Sequence, residues 1–126
     1  MAGEGILEIR TYELVPGERA EFDRVFREDA VPMLGRFGIR VVGFGPSAEG
    51  DDAYVLMRAF PSMAARDEQE DRFYGSEEWV GRQREPVVSR IRAYHTVVLA
   101  PGAEAVDALA AGLAADRVDP SRTGSG

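Results

Sequence analysis

The 126-residue chain contains no cysteine and one histidine, His95. Without thiols there is no disulfide, no thiolate nucleophile and no Cys-ligated metal. With one imidazole, a multi-His metal centre cannot be built within a single chain. Basic residues are outnumbered, 15 Lys and Arg against 22 Asp and Glu, for a net charge of −7. No local basic cluster offsets that balance, which argues against a nucleic-acid surface. No run of about 18 apolar residues is present, so no membrane span is expected. The opening MAGEGILEIR lacks the apolar core of a signal peptide, so the cytoplasm is the expected compartment. EF-hand-like spacing is missing, and Gly43 and Gly45 are not followed by a helix at the distance a phosphate loop requires. Chemistry is left to Asp, Glu, Tyr, Arg, Trp, backbone amides and His95, with no cofactor and no metal expected.

What is there reads as one soluble globular domain, 44% hydrophobic and 29% charged. Residues 6–14 alternate as a strand, with Leu7, Ile9, Thr11 and Glu13 on one face and Glu8, Arg10, Tyr12 and Leu14 on the other. Residues 18–37 carry Phe22, Val25, Phe26, Ala30, Met33, Leu34 and Phe37 at helical spacing. Pro32 should kink that helix, and Gly38 fits its C-terminal cap. Residues 40–44 and 53–60 form a hairpin joined by the turn SAEGDD. A charged helix follows from the cap Ser62 to about Tyr74, then a break at Gly75 and a second helical start at Ser76. Residues 92–99 make a fourth strand. Pro101-Gly102 ends the main unit at about residue 100. Residues 101–126 read as an Ala-rich extension, a loosely docked helix followed from Asp116 by a disordered tail.

Strand-helix-strand thus occurs twice in about 95 residues, the signature of a ferredoxin-like βαββαβ α+β fold. Right-handed crossovers put the first and third strands in the middle of an antiparallel four-stranded sheet with both helices on one face. Either phase of the alternation leaves apolar residues on the other face. In the preferred phase these are Tyr12, Leu14, Tyr54, Leu56, Phe60 and Tyr94, a patch too large for a monomer. A homodimer pairing through the sheet faces is therefore expected. Periodicity defines the two faces but not which one meets the helices.

The segments LEIRTYEL-PG, AVPMLGRFGIRVVG and YVLMRAFPSMAARDEQEDRFYGSEEW resemble the NIPSNAP family of the dimeric α/β-barrel superfamily. The matching pieces are Ile9-Arg10-Thr11-Tyr12, with Ile9 where Leu is usual, Pro32 with Gly38, Arg66, and Glu78-Trp79. The resemblance spans Leu7 to Leu99 and implies the dimeric α/β-barrel fold. It implies little chemistry, because the superfamily includes cofactor-free monooxygenases, heme-degrading enzymes, cyclases and isomerases.

Several residues are candidates for a site. Asp29 lies on the apolar stripe of the first helix, where a carboxylate is costly unless paired or protonated. It reads either as a general base of raised pKa, or as an acid turned outward by the Pro32 kink or paired with Arg66. His95 is the one side chain that ordinarily titrates near neutrality. In the preferred register it meets Asp29 in a cavity beneath Phe22, Phe26 and Trp79. Arg66, beside Glu70 and next to Tyr74, reads as a holder of a ligand oxygen or as a partner of Asp29 or Glu70. Arg10, Tyr12, Tyr54 and Arg58 belong to the dimer seam in that register, and to the pocket in the reverse one. Heme is disfavoured, because the helices offer no axial His. The expected function is a small cofactor-free enzyme of isomerase, cyclase or oxygenase type. It would move a proton on an apolar, aromatic or polyketide-like metabolite held between sheet and helices. The alternative is a non-catalytic dimeric module that binds a small molecule or a protein.

Overall fold

The computed structural model describes residues 3–118. Four strands, β1 (Ile6–Leu14), β2 (Arg40–Pro46), β3 (Ala53–Phe60) and β4 (Ile91–Leu99), form one antiparallel sheet in the order β2-β3-β1-β4. This is the ferredoxin-like arrangement, with β1 and β3 central. Glu8 stands opposite Arg58 and Tyr12 opposite Tyr54, while β1 meets β4 with Thr11 opposite His95.

The first crossover is a continuous helical run: α1 (Arg19–Val25), a π-helical turn (Phe26–Ala30) and α2 (Val31–Arg36). The second repeats the plan, with α3 (Met63–Tyr74), a π turn (Trp79–Gln83) and α4 (Arg84–Val88). In both π turns the closing amide reaches back five residues, Val31 to Phe26 and Arg84 to Trp79. In both a proline follows closely, Pro32 and Pro86. A proline has no N–H to donate, and the wider turn ahead of it absorbs the missing ladder bond. Ser62 caps α3 by accepting the Ala65 amide at 3.1 Å, and Ser76 does the same for Trp79 at 3.1 Å. Gly38, at φ 78°, ends the first run as expected.

The helices meet the sheet face carrying Tyr12, Leu14, Tyr54, Leu56 and Phe60, the reverse of the preferred assignment. Both phases are apolar, so volume decides. Phe22 and Phe26 stack at 4.6 Å, and Tyr54 closes edge-on to them at 4.9 and 5.4 Å. Only the phase with large rings fills the roughly 10 Å between sheet and helices.

The opposite face was expected to lack any cover from its own chain. Instead α5 (Ala103–Val118) lies across part of it. Val106 is buried against Leu7, Val42 and Ala59, with Ile9, Met57, Ala110 and Leu113 around them. Small residues let the helix approach: a Cβ on Gly43 would sit 2.6 Å from Leu113 Cδ1. Arg40 donates to Asp107 at 2.8 Å, fixing the helix to the sheet edge. Of the tail expected to be disordered from Asp116, residues 116–118 continue α5, and residues 119–126 lie outside the described residues.

Candidate functional site

Glu8, Arg10 and Tyr12 alternate along β1 towards the helices, and Arg58 joins them from β3. From above, α3 contributes Arg66, Glu70 and Tyr74, four residues apart and hence one stripe. Glu8 and Arg58 are both fully buried. Arg58 Nε donates to Glu8 Oε1 at 2.7 Å and its Nη2 donates to the same oxygen, while Nη1 donates to Tyr74 Oη at 2.9 Å. Arg66 Nε donates to the other Glu8 oxygen at 2.8 Å. Arg58 Nη2 also donates to Glu70 Oε2 at 3.2 Å, so one guanidinium bridges both carboxyls. Arg10 is held differently, by neutral partners: Nε donates to Thr96 Oγ1 at 3.1 Å and Nη1 to Tyr74 Oη at 3.2 Å. Its carboxylate neighbours, Glu8 and Glu70, are 3.9 and 3.8 Å away.

The two carboxyls are driven apart. Burial pushes Glu8 upward, but its hydrogen bond with Glu70 and the charges of Arg58, Arg10 and Arg66 outweigh that and bring it down to about 2. Burial pushes Glu70 up to about 7, reinforced by the hydrogen bond and charge of Glu8 and only partly countered by Arg58 and Arg66. The pair thus shares one proton near neutrality, carried on Glu70. Burial also holds Tyr12 above its ordinary value, so its phenol stays neutral.

Over this network opens a cavity of about 340 Å³. Arg10, Tyr12 and Tyr94 come from the sheet, Glu70 and Tyr74 from α3. Trp79, Val87, Val88 and Ile91 close the far side. The aromatic wall is rigid: Trp79 packs on Tyr74 at 5.1 Å and Phe73 at 5.3 Å, and Arg10 lies over the Tyr94 ring at 5.1 Å. Polar function enters this cavity through Glu70, Arg10 and tyrosine hydroxyls.

Of the residues singled out in the sequence, Arg10, Tyr12, Tyr74 and Trp79 line the cavity. Arg58 and Arg66 belong to the network behind it. Phe22 and Phe26 form core packed against Tyr12, at 5.5 and 5.8 Å, rather than cavity wall. Asp29 and His95 do not meet. Asp29 sits in the π turn, whose extra residue rotates it off the apolar stripe into solvent. His95 is exposed on the other sheet face, in a shallow groove with Thr11 and Glu13. Arg66 pairs with Glu8, Glu70 and Asp67 instead of Asp29. The Glu8–Glu70 pair is what sequence reasoning missed. Its signal was a carboxylate in phase with Arg10 and Tyr12 on one strand and a second in phase with Arg66 and Tyr74 on one helix.

The sequence matches the NIPSNAP family over residues 7–103. The fold is similar to an uncharacterised NIPSNAP domain protein from Burkholderia xenovorans, with a TM-score of 0.68 and 21% identity, covering 78% of this chain and 95% of that one. A NIPSNAP family protein of unknown function from Agrobacterium tumefaciens aligns with a TM-score of 0.69 and 23% identity over 77% and 87% of the two chains. A Caulobacter crescentus protein assigned as an antibiotic biosynthesis monooxygenase shares the fold more distantly, with a TM-score of 0.58 and 17% identity over 79% and 92%. No functionally curated protein matches the sequence. With the family pattern matched over most of its length and the four-stranded sheet formed by those same residues, the chain belongs to the NIPSNAP family.

Proposed function

We propose that this protein moves a proton on a small, partly aromatic molecule held between the sheet and α3–α4. Glu70 is the acid–base group, and Arg10 and Tyr74 meet the oxygen on which charge develops. The observation that carries this is a carboxyl brought to about 7 on the wall of an otherwise aromatic and aliphatic cavity. A group that is half-ionised at working pH both takes and returns a proton efficiently. The cavity is at the small end of the roughly 300–1,000 Å³ typical of ligand sites, which suits one or two rings.

The chemistry this arrangement supports is enolisation. Ionised Glu70 takes a proton from the carbon next to a carbonyl. The C–H electron pair becomes the C=C bond, and the carbonyl oxygen takes the negative charge beside the Arg10 guanidinium. Returning the proton to the same carbon gives exchange, and returning it elsewhere gives isomerisation. The oxygen of Tyr74 already accepts from Arg10 and Arg58, which leaves its own hydrogen to donate to that charge.

Hydrogen–deuterium exchange of 2-tetralone, an enolisable two-ring ketone, tests this by proton NMR. The wild-type protein should exceed the buffer rate, and Glu70→Gln should fall back to it. A wild type no faster than buffer, or a Glu70→Gln variant as fast as wild type, would remove Glu70 from this role.

We further propose a homodimer through the part of the sheet face that α5 leaves open, where Val97 and Leu99 are 44% and 47% exposed. Light scattering at twice the 13.8 kDa chain mass is the expected result, and a single chain mass is the contrary one.

A further inference from the structure

We infer that the cavity takes a planar aromatic anion, a carboxylate or enolate, seated on Arg10 beside Tyr94 and Trp79 and bound together with one proton. The inference rests on reading the cavity as a ligand site. An enolate with its proton on Glu70 is the state that proton transfer from a neutral ketone produces, and a bound carboxylate imitates it.

The first argument is charge balance. Three guanidiniums, Arg10, Arg58 and Arg66, converge on two carboxyls, Glu8 and Glu70, so positive charge is in excess even with both acids ionised, and more so where Glu70 is protonated. The remaining acid on this cluster, Asp67, is exposed and touches the outer side of Arg66. The centre therefore carries excess positive charge inside a protein whose net charge is −7. Buried charge without a counter-charge is costly, and an entering anion relieves that cost.

The second argument is where the excess is presented. Arg58 gives two donors to Glu8 and a third to Tyr74, and Arg66 makes its shortest bond to Glu8. Arg10 makes its two short bonds to neutral oxygens, and its Nη2 reaches Glu8 and Glu70 only at 3.9 and 3.8 Å. Of the three arginines, it is also the one that lines the cavity. A planar fork with donor capacity to spare, stacked on a tyrosine ring, matches a carboxylate or an enolate oxygen. The tryptophan and tyrosine faces around it match an aromatic body.

The accompanying proton follows from the neighbours of Glu70. Glu8, Arg10 and Tyr12 face it from β1, Arg58 from β3, Arg66 and Tyr74 from its own helix, and Tyr94 lies across the cavity on β4. The cavity wall from Trp79 to Val88 contributes no titratable group among the described residues. Every basic side chain of the chain apart from His95 is an arginine, because the sequence contains no lysine. Arginine does not titrate in proteins. An anion on Arg10 repels ionised Glu70, so it binds best to the protonated form, and affinity falls as pH rises through about 7.

Isothermal titration calorimetry with 1-naphthoate and with 1-naphthalenemethanol, its uncharged analogue, tests the inference. Naphthoate should bind at least tenfold more tightly than the alcohol. Its affinity should fall about tenfold from pH 6 to pH 8. At pH 7.5, titrations in buffers of different ionisation heat should show proton uptake. The pH dependence should vanish in Glu70→Gln and persist in His95→Gln. Arg10→Met should lose the preference for the anion, with Arg10→Lys recovering part of it. Equal binding of the two probes, or anion binding without proton uptake, would overturn the inference while leaving the cavity a ligand site. Binding of neither probe would overturn this inference and the small-aromatic reading of the site together. Because the wild-type protein alone decides these outcomes, a variant that fails to fold does not blunt the test.

Discussion

The two β-α-β halves of this domain share a plan and use it for opposite ends. Each runs strand, helix, π turn, proline and return strand. In the first half the helical run buries Phe22, Val25, Phe26, Ala30, Met33 and Leu34 against the sheet. In the second, the helical run buries only Phe73, Trp79 and Val87, and α3 turns Arg66, Glu70 and Tyr74 inward. The first half fills the space above the sheet with carbon, while the second spans it with ion pairs and leaves a cavity beside them. A repeated plan thus devotes one helical run to stability and the other, above Glu8, Arg10 and Tyr12 of β1, to a site, and the composition of the helix face makes the difference.

Striking beneath each helical run should cost about the same, for different reasons. Phe22→Ala removes a fully buried ring and should cost about 3–5 kcal/mol in urea unfolding. Glu8→Ala leaves Arg58 buried without its main counter-charge and should also cost about 3–5 kcal/mol. The halves separate on rescue. Adding Arg58→Met to Glu8→Ala should recover much of the loss, since the orphaned charge is gone, whereas no polar change elsewhere should repair Phe22→Ala. A double variant as unstable as Glu8→Ala would mean that packing, not charge, holds the region beneath α3.

The pH dependence of stability sharpens the comparison at smaller amplitude. Between pH 4.5 and about 7 the folded protein keeps the Glu70 proton that the unfolded chain has lost. Stability should therefore fall as pH rises across that window, by an amount on the order of 3 kcal/mol. Glu8 acts with the opposite sign: its contribution is present above pH 4.5 and is lost as pH falls towards about 2. Calorimetric melting of Glu70→Gln should show no decline above pH 4.5 but retain the acid-side loss. Phe22→Ala should retain both. The smallest effect expected is at a cap. Ser62→Ala should lower stability by about 1 kcal/mol, because α3 has little apolar surface to hold it otherwise.

The strands, helices and turns were legible because each arises from local chemistry. Residues 6–14 alternate, Ser62 caps, Gly38 takes a positive φ, and Pro32 and Pro86 disturb their helices. That a kink at Pro32 turns Asp29 outward was a legible alternative, but the form of that kink, a π turn, was not legible. One extra residue in a turn changes the phase of the helix beyond it, and a helical wheel drawn at constant pitch cannot show that. The face assignment was open because both phases of β1 are apolar enough for a core. The Glu8–Glu70 pair escaped notice because its partners are 62 positions apart: Glu70 reads locally as a partner of Arg66 on its own helix, and nothing local links it to Glu8. Tyr74 and Trp79 are conspicuous aromatics beside the Gly75 break, and Arg10 and Tyr12 reach the pocket only in the reverse of the preferred register, which is the one the sheet adopts.

Composition and spacing, then, settled the strands and the main helical runs, since those depend on neighbours a few positions away, and the handedness of crossovers supplied the strand order. Composition also removed thiol and multi-histidine chemistry outright. Which face of the sheet would hold the cavity, that α5 would cover part of the other, and that a carboxyl on α3 would keep its proton near neutrality were decided by packing. Burial and the approach of distant charges set a side chain's energy, and neither exists until the chain has closed on itself.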